Sequence, residues 1–69
     1  MDEFISKMTE ILEVPGVSRE TKFRETEDWD SMKGFAILIM LERDYAKRLT
    51  VPEFMSMDTV DDIAKVVGL

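Results

Sequence analysis

Apolar residues recur at helical spacing in three stretches of the chain, and no stretch shows strand-like alternation bounded by turn signals. At 2–13, Phe4, Ile5, Met8, Ile11 and Leu12 fall on one face of a 3.6-residue period, which predicts an amphipathic helix. Asp2 and Glu3 suit its positive N-terminal end, Glu3 and Lys7 form an i, i+4 pair, and Val14-Pro15-Gly16 ends it, since proline cannot continue the ladder. The main helix is predicted at 31–48, with Asp30 as its N-cap. It carries two apolar stripes. One is Gly34, Ile37/Leu38, Leu41, Tyr45 and then Leu49; the other is Met32, Phe35/Ala36, Ile39 and then Arg43. A small domain buries one such stripe in its own core. The second is either surplus, and serves a partner, or marks a helix surrounded on most sides. Gly34, in the second turn, costs about 1 kcal/mol relative to alanine, so close approach of another backbone or of a ligand would account for it.

Leu49-Thr50-Val51-Pro52 interrupts this pattern, and Pro52-Glu53-Phe54-Met55 reads as one short helical turn with proline at its first position. A last helix follows at 59–67. Asp58 or Thr59 caps it, Asp61 and Asp62 load its first turn, Val60, Ile63, Ala64 and Val67 face inward, and Gly68 stops it. The expected fold class is therefore all-α, a small bundle of three main helices plus one short helical turn in a single domain over 1–69. Its expected core holds Phe4, Met8, Leu12, Ile37, Leu38, Leu41, Tyr45, Val60 and Ile63. Between the first two helices, 14–30 is a long charged connection with Val17, Phe23 and Trp29 as isolated apolar anchors. A connection this long in so small a domain is usually functional or flexible.

Composition narrows the chemistry. The chain has 69 residues and neither cysteine nor histidine. That excludes a disulfide framework, a cysteine nucleophile, a Ser-His-Asp triad and a zinc site built on these ligands within this chain. A core this thin supports a net stability of only about 3–5 kcal/mol. The formal net charge of −6 argues against nucleic acid as a partner, and so against a helix-turn-helix reading. No apolar run reaches membrane-spanning length, and the acidic opening Met1-Asp2-Glu3 does not resemble a secretory signal. A soluble, cytoplasmic, monomeric protein with no membrane partner is the expectation. The charge is uneven: net −3 over 1–13, −2 over 14–30, +2 over 31–48 and −3 over 49–69. The central helix is thus the one positive element in an acidic chain.

The carboxylates gather in two places, Glu25, Glu27, Asp28 and Asp30 in the connection and Asp58, Asp61 and Asp62 near the end. Neither segment has the ordered alternation and bend glycine of a calcium loop, so helix-start solvation accounts for them better and no metal site is expected. Ser31 stands where the polar connection enters the main helix. A capping role is the ordinary account of such a serine. The alternative is an exposed hydroxyl that receives a phosphate ester, because the free amides and dipole of a helix N-terminus stabilise an anion there. Lys33, two residues on, could screen that phosphate. Met32, beside it on the second stripe, offers an adaptable side chain to a partner or an acyl group.

The ordered set of residues resembles the acyl carrier protein family. Asp30-Ser31-Met32 looks like the family's Asp-Ser-Leu attachment motif with methionine for leucine, preceded by Trp29. Phe23 lies eight residues before Ser31, where the family has a loop phenylalanine. Glu42, Tyr45 and Thr59-Val60-x-Asp62-Ile63 continue the likeness, which spans essentially the whole chain. The resemblance implies that Ser31 carries covalent 4′-phosphopantetheine, transferred from coenzyme A by a magnesium-dependent phosphopantetheinyl transferase, with Asp30 orienting the site. It implies a carrier that presents thioester-bound acyl groups to a ligase, synthase or acyltransferase and is not itself an enzyme. The absence of cysteine fits, since the reactive thiol would then come from the arm. An aminoacyl or peptidyl carrier is the alternative within this class, and an unmodified helical protein-interaction domain the alternative outside it.

The chain also departs from the family. Met32, Phe35, Ala36, Ile39 and Arg43, the expected partner face, include Ala36 where an acid is frequent and Arg43 where another is reversed. Lost or reversed rim charges weaken steering toward the basic surfaces of ordinary fatty-acid synthase enzymes, so a dedicated pathway is expected. Glu27-Asp28 replaces a common Leu-Gly, and Lys47-Arg48-Leu49-Thr50-Val51 suggests a longer second helix and a shorter third.

Overall fold

A computed structural model describes residues 2–69, which form an all-α bundle of four helices: α1 (Asp2–Leu12), α2 (Ser31–Tyr45), α3 (Val51–Met55) and α4 (Val60–Val66). A single 3-10 turn, Phe23–Glu25, interrupts the long first connection. α1 buries Phe4, Met8 and Leu12, three residues at i, i+4 and i+8, and leaves Ile5 and Ile11 at the margin of the core. It packs along α2, where the Phe4 ring meets Tyr45 edge-on with centroids 5.7 Å apart. α2 contributes Gly34, Ile37, Met40 and Leu41 to the interior, while Leu38 and Tyr45 are half-buried. Met40, which belongs to neither stripe of the sequence pattern, is buried in the same core as Phe54 of α3, Met57, and Val60, Ile63 and Ala64 of α4.

α2 is shorter than the hydropathy pattern predicts. It stops at Tyr45 and not at 48, because Ala46 takes a left-handed conformation (φ 54°) and the Lys47 amide turns back to the Leu41 carbonyl at 3.0 Å. A left-handed alanine is costly, by about 1–2 kcal/mol. The turn lets half-buried Leu49 come back to the core, and the Arg48–Glu42 ion pair (2.8 Å) spans the reversal. The expected lengthening of the second helix through Val51 is therefore corrected: Val51 opens α3. Thr50, not proline, defines that start. Its hydroxyl accepts from the Glu53 amide at 3.3 Å while the Glu53 carboxylate accepts from the Thr50 amide at 3.0 Å, a capping box with Pro52 at the second position.

The connection 14–30 is tied down. The Val60 and Asp61 amides, free groups at the start of α4, donate to Thr21 and Arg19 carbonyls at 2.9 and 2.8 Å. Thr59 rather than Asp58 caps α4, again through a reciprocal pair, with Asp62. Arg19 pairs with Asp61, which Lys65 also contacts at 3.2 Å. Phe23 is fully buried, stacked on Phe54 (5.4 Å) and tilted against Trp29 (5.6 Å). The anchors seen in the sequence thus do pin the connection, and Arg24 reinforces them. Its guanidinium lies over the Phe23 and Phe54 rings (4.8 and 5.3 Å), donates from Nη2 to the Phe54 carbonyl at 2.6 Å and from Nη1 to the Met57 carbonyl.

One ion cluster joins α1 to α2. Asp44 accepts from Arg43 (3.1 and 3.2 Å) and from Lys7 (3.1 Å), and these hydrogen bonds, Arg43's first, hold its carboxyl down to about 2. The folded value lies below the unfolded one, about 3.9. The stabilisation is thus complete above the unfolded value and is lost as pH falls toward the folded one. Asp61, Asp62 and Glu53 are lowered in the same sense: Asp61 chiefly by Arg19, Asp62 by the Asp58 amide and Glu53 by the Thr50 amide. The thermal midpoint is expected to be flat from neutrality to about pH 5 and to fall steadily below about pH 4. Asp44→Asn should lower the neutral plateau and flatten the acid limb. An acid limb unchanged by that substitution would assign it to other groups.

Candidate functional site

Asp30 leaves the connection in an extended conformation (φ −150°, ψ 175°), and its Oδ1 accepts from the Lys33 amide at 3.0 Å. This is the N-cap the sequence predicts, and it fixes where α2 begins. Ser31 is the first helical residue. Because Asp30 already serves as the cap, the Ser31 side chain is exposed and is not the capping group.

Below Ser31 lies an apolar cleft of about 340 Å³, between the first two turns of α2, the end of the connection and α3. Trp29, Gly34, Phe35 and Leu38 form one side, and Val51, Phe54 and Met55 the other, with Asp30 and Ser31 at the lip and Arg24 as the further polar member of the wall. The width comes partly from Gly34. No backbone presses on it, contrary to one account of its presence. A Cβ there would lie 3.5 Å from the Phe54 and Trp29 rings, an ordinary contact distance. Gly34→Ala is therefore expected to fit, and to raise stability by about 1 kcal/mol through helix propensity alone. A lowered chemical-denaturation midpoint would mean that the aromatic walls cannot yield even that much.

The second stripe of α2 is open to solvent: Met32 is 73% exposed, Phe35 55% and Ile39 60%. The alternative of a helix surrounded on most sides is thereby removed. Ala36 is half-buried, and Arg43 is exposed with its guanidinium on Asp44. Val51 and Met55, one turn apart on α3, extend the exposed apolar surface across the cleft mouth. Lys33 stands in the first turn of α2, beside the end of α1. Its ammonium donates to the Leu12 carbonyl at 2.9 Å, capping the C-terminal end of α1 and holding it against the start of α2. Among the described residues no three acidic side chains converge on a point that could hold a metal ion, and no helix is long and apolar enough to cross a membrane.

Several members of the cleft are not evident as site residues from the sequence, where Trp29 reads as an anchor, Leu38 as core and Phe54 as part of a short turn. Val51 and Met55 carry a faint signal, the i, i+4 spacing of apolar residues on an otherwise polar turn. Arg24 carries none, because its position over two aromatic rings arises only when the connection folds back on α3. Compared with protein-family models, with curated proteins and with solved structures, the chain finds no match.

Proposed function

We propose that this chain is an acyl carrier protein that holds acyl groups as thioesters on a 4′-phosphopantetheine arm attached to Ser31 and presents them to partner enzymes. The observation that carries the reading is the placement of Ser31: an exposed hydroxyl at the first position of a capped helix, on the lip of an apolar cleft. Helix-terminal amides favour a phosphodiester at that position, and the cleft offers an apolar chain a place out of water. Asp30 would hold the attachment point in register, and Met32, Phe35, Ala36, Ile39 and Arg43 would form the docking face, a mixed apolar and cationic rim suited to partners other than strongly basic ones. The arm, when bound, supplies the thiol that the chain lacks. Its transferase and an acyl ligase, synthase or acyltransferase of a dedicated pathway are the partners this implies.

The test is direct. The protein is incubated with coenzyme A, magnesium and a broad-specificity phosphopantetheinyl transferase, and its intact mass is taken. One phosphopantetheinyl group is expected on the parent chain and none on Ser31→Ala. If several transferases of different specificity leave the mass unchanged, the carrier reading fails, and the exposed stripe of α2 then speaks for an unmodified interaction domain.

A further inference from the structure

We infer that the exposed stripe of α2 is a self-association surface, and that its occupant is a second copy of this chain laid antiparallel across it. The inference stands apart from the carrier reading and needs no modification of Ser31. It starts from a face that the fold leaves bare. Met32, Phe35 and Ile39 are each more than half exposed, with half-buried Ala36 between them and exposed Arg43 at the end. Their helical spacing makes them one strip along α2, and a contiguous apolar strip of this kind marks an interaction surface.

The charges at the two ends of the strip decide what covers it. The chain enters α2 through Glu27 and Asp28 and leaves it through Lys47 and Arg48, all four exposed. Glu27, Asp28 and Lys47 form no ion pair among the described residues. Arg48 lies on Glu42 at 2.8 Å, which keeps it beside the last turns of α2, and Arg43 lies on Asp44, an acid that Lys7 also contacts. Both acids at that end are therefore already answered, and the end is net positive. The 15 residues of α2 set the two ends about 20 Å apart. A uniformly basic surface would be repelled by Arg43, Lys47 and Arg48, and a uniformly acidic one by Glu27 and Asp28. The surface that fits has an apolar strip and the opposite polarity, and α2 turned end for end is such a surface. With a twofold axis between the levels of Ala36 and Ile39, Ala36 of each copy faces Ile39 of the other. Met32 then faces the aliphatic stem of Arg43, while Glu27 and Asp28 come level with Lys47 and Arg48 of the other copy. Each contact occurs twice, as in any isologous interface.

The net charge of −6 on each copy opposes the approach. At physiological salt that repulsion is screened beyond about 8 Å, whereas pairs at contact distance are screened less. One helix face is also small beside the roughly 800 Å² that each partner gives to a standard interface, so the dimer is weak and depends on concentration. Because it covers Met32, Phe35 and Ile39, a second copy and an enzyme exclude one another from this face.

Sedimentation equilibrium of the unmodified protein, from about 10 µM to about 1 mM, tests the inference in the range of a small interface. The apparent mass is expected to rise from 8.0 kDa toward twice that value. Two double variants then locate the face. Glu27→Lys with Asp28→Asn removes the acidic end, asparagine being chosen because residue 28 is left-handed (φ 61°). Lys47→Glu with Arg48→Glu reverses the basic end. Each alone is expected to weaken association by about tenfold or more, and an equal mixture of the two to associate again, since each supplies the end the other has lost. The first variant is less negative overall than the parent, so relief of general repulsion alone would strengthen its association instead. Proton–nitrogen correlation spectra of the parent over the same dilution need no variant, and the signals of Met32, Phe35 and Ile39 are expected to move with concentration. A parent that stays a single chain throughout overturns the inference and leaves the face to enzyme partners. A dimer that either variant leaves unchanged, a mixture that does not associate, or concentration-dependent shifts confined to other surfaces overturns it as well, because the contact then lies elsewhere.

Discussion

Phe23→Ala is expected to leave the protein largely unfolded at room temperature. Phe23 is completely buried, and it joins three parts of the molecule: it stacks on Phe54 of α3, meets Trp29 at the entrance to α2, and underlies Arg24. Truncating a buried phenylalanine to alanine typically costs about 3–5 kcal/mol, through lost transfer energy and the cavity left behind. A single core in a chain this short supplies only about the same amount. The two figures cancel, so helical circular dichroism should collapse, or the thermal midpoint should fall to near ambient temperature. Phe35→Ala is the matched control. That ring is mostly exposed, and its removal should change stability by no more than about 0.5 kcal/mol. A cooperative transition for Phe23→Ala within a few degrees of the parent would show that backbone bonds from Thr21 and Arg19 to α4, and not the aromatic cluster, hold the connection.

The elements that were legible in the sequence are those whose stability is local. α1 follows from its period, and its end from Pro15. α4 follows from its apolar spacing, from Asp58 or Thr59 as a cap and from the acids of its first turn; the structure makes Thr59 the cap, in a reciprocal pair with Asp62. The end of α2 was not legible. Lys47 and Arg48 are good helix formers, and nothing local forbids them another turn. The helix stops because Leu49 and the residues beyond it gain more by returning to the core than α2 gains by continuing, enough to hold Ala46 in a left-handed conformation. That balance is tertiary. The start of α3 lies between these cases. Thr50 and Glu53 carry the capping-box spacing, but Pro52 is the louder signal and points one residue too late.

The candidate site divides in the same way. Asp30 and Ser31 could be read from the chain because a cap and a first helical residue are positions along one element, and the exposed stripe of Met32, Phe35 and Ile39 could be read because it is a face of that element. The cleft could not. Its far wall comes from α3, and its polar member from a connection that reads as solvated charge. Lys33 shows what proximity in sequence leaves out: two residues from Ser31, its ammonium also donates to the Leu12 carbonyl at the end of a different helix.

If Ser31 carries the proposed arm, a medium-length acyl chain tethered there is expected to raise the thermal midpoint well above that of the form bearing the bare arm. Each buried methylene contributes about 0.8 kcal/mol, so a chain that places about four of them in the cleft gains about 3 kcal/mol. Ordering the chain takes back about 1–2 kcal/mol, while the tether removes most of the cost of bringing it there. The remaining 1–2 kcal/mol stabilises the folded state alone, since the unfolded chain has no cleft, and in a domain of this size it corresponds to a rise of about 5–15 °C. Octanoylated and unacylated holo-protein compared by differential scanning calorimetry would measure it. Met55→Asp supplies the control. Met55 is exposed at the cleft mouth, so an aspartate there should leave the unacylated protein nearly unchanged, yet set a charge against the entering chain and remove most of the rise. An equal rise in parent and variant would place the chain along the exposed face of α2 and not in the cleft. No rise in either would mean that the acyl group stays in solvent, and the apolar walls would then be part of the surface offered to partner enzymes.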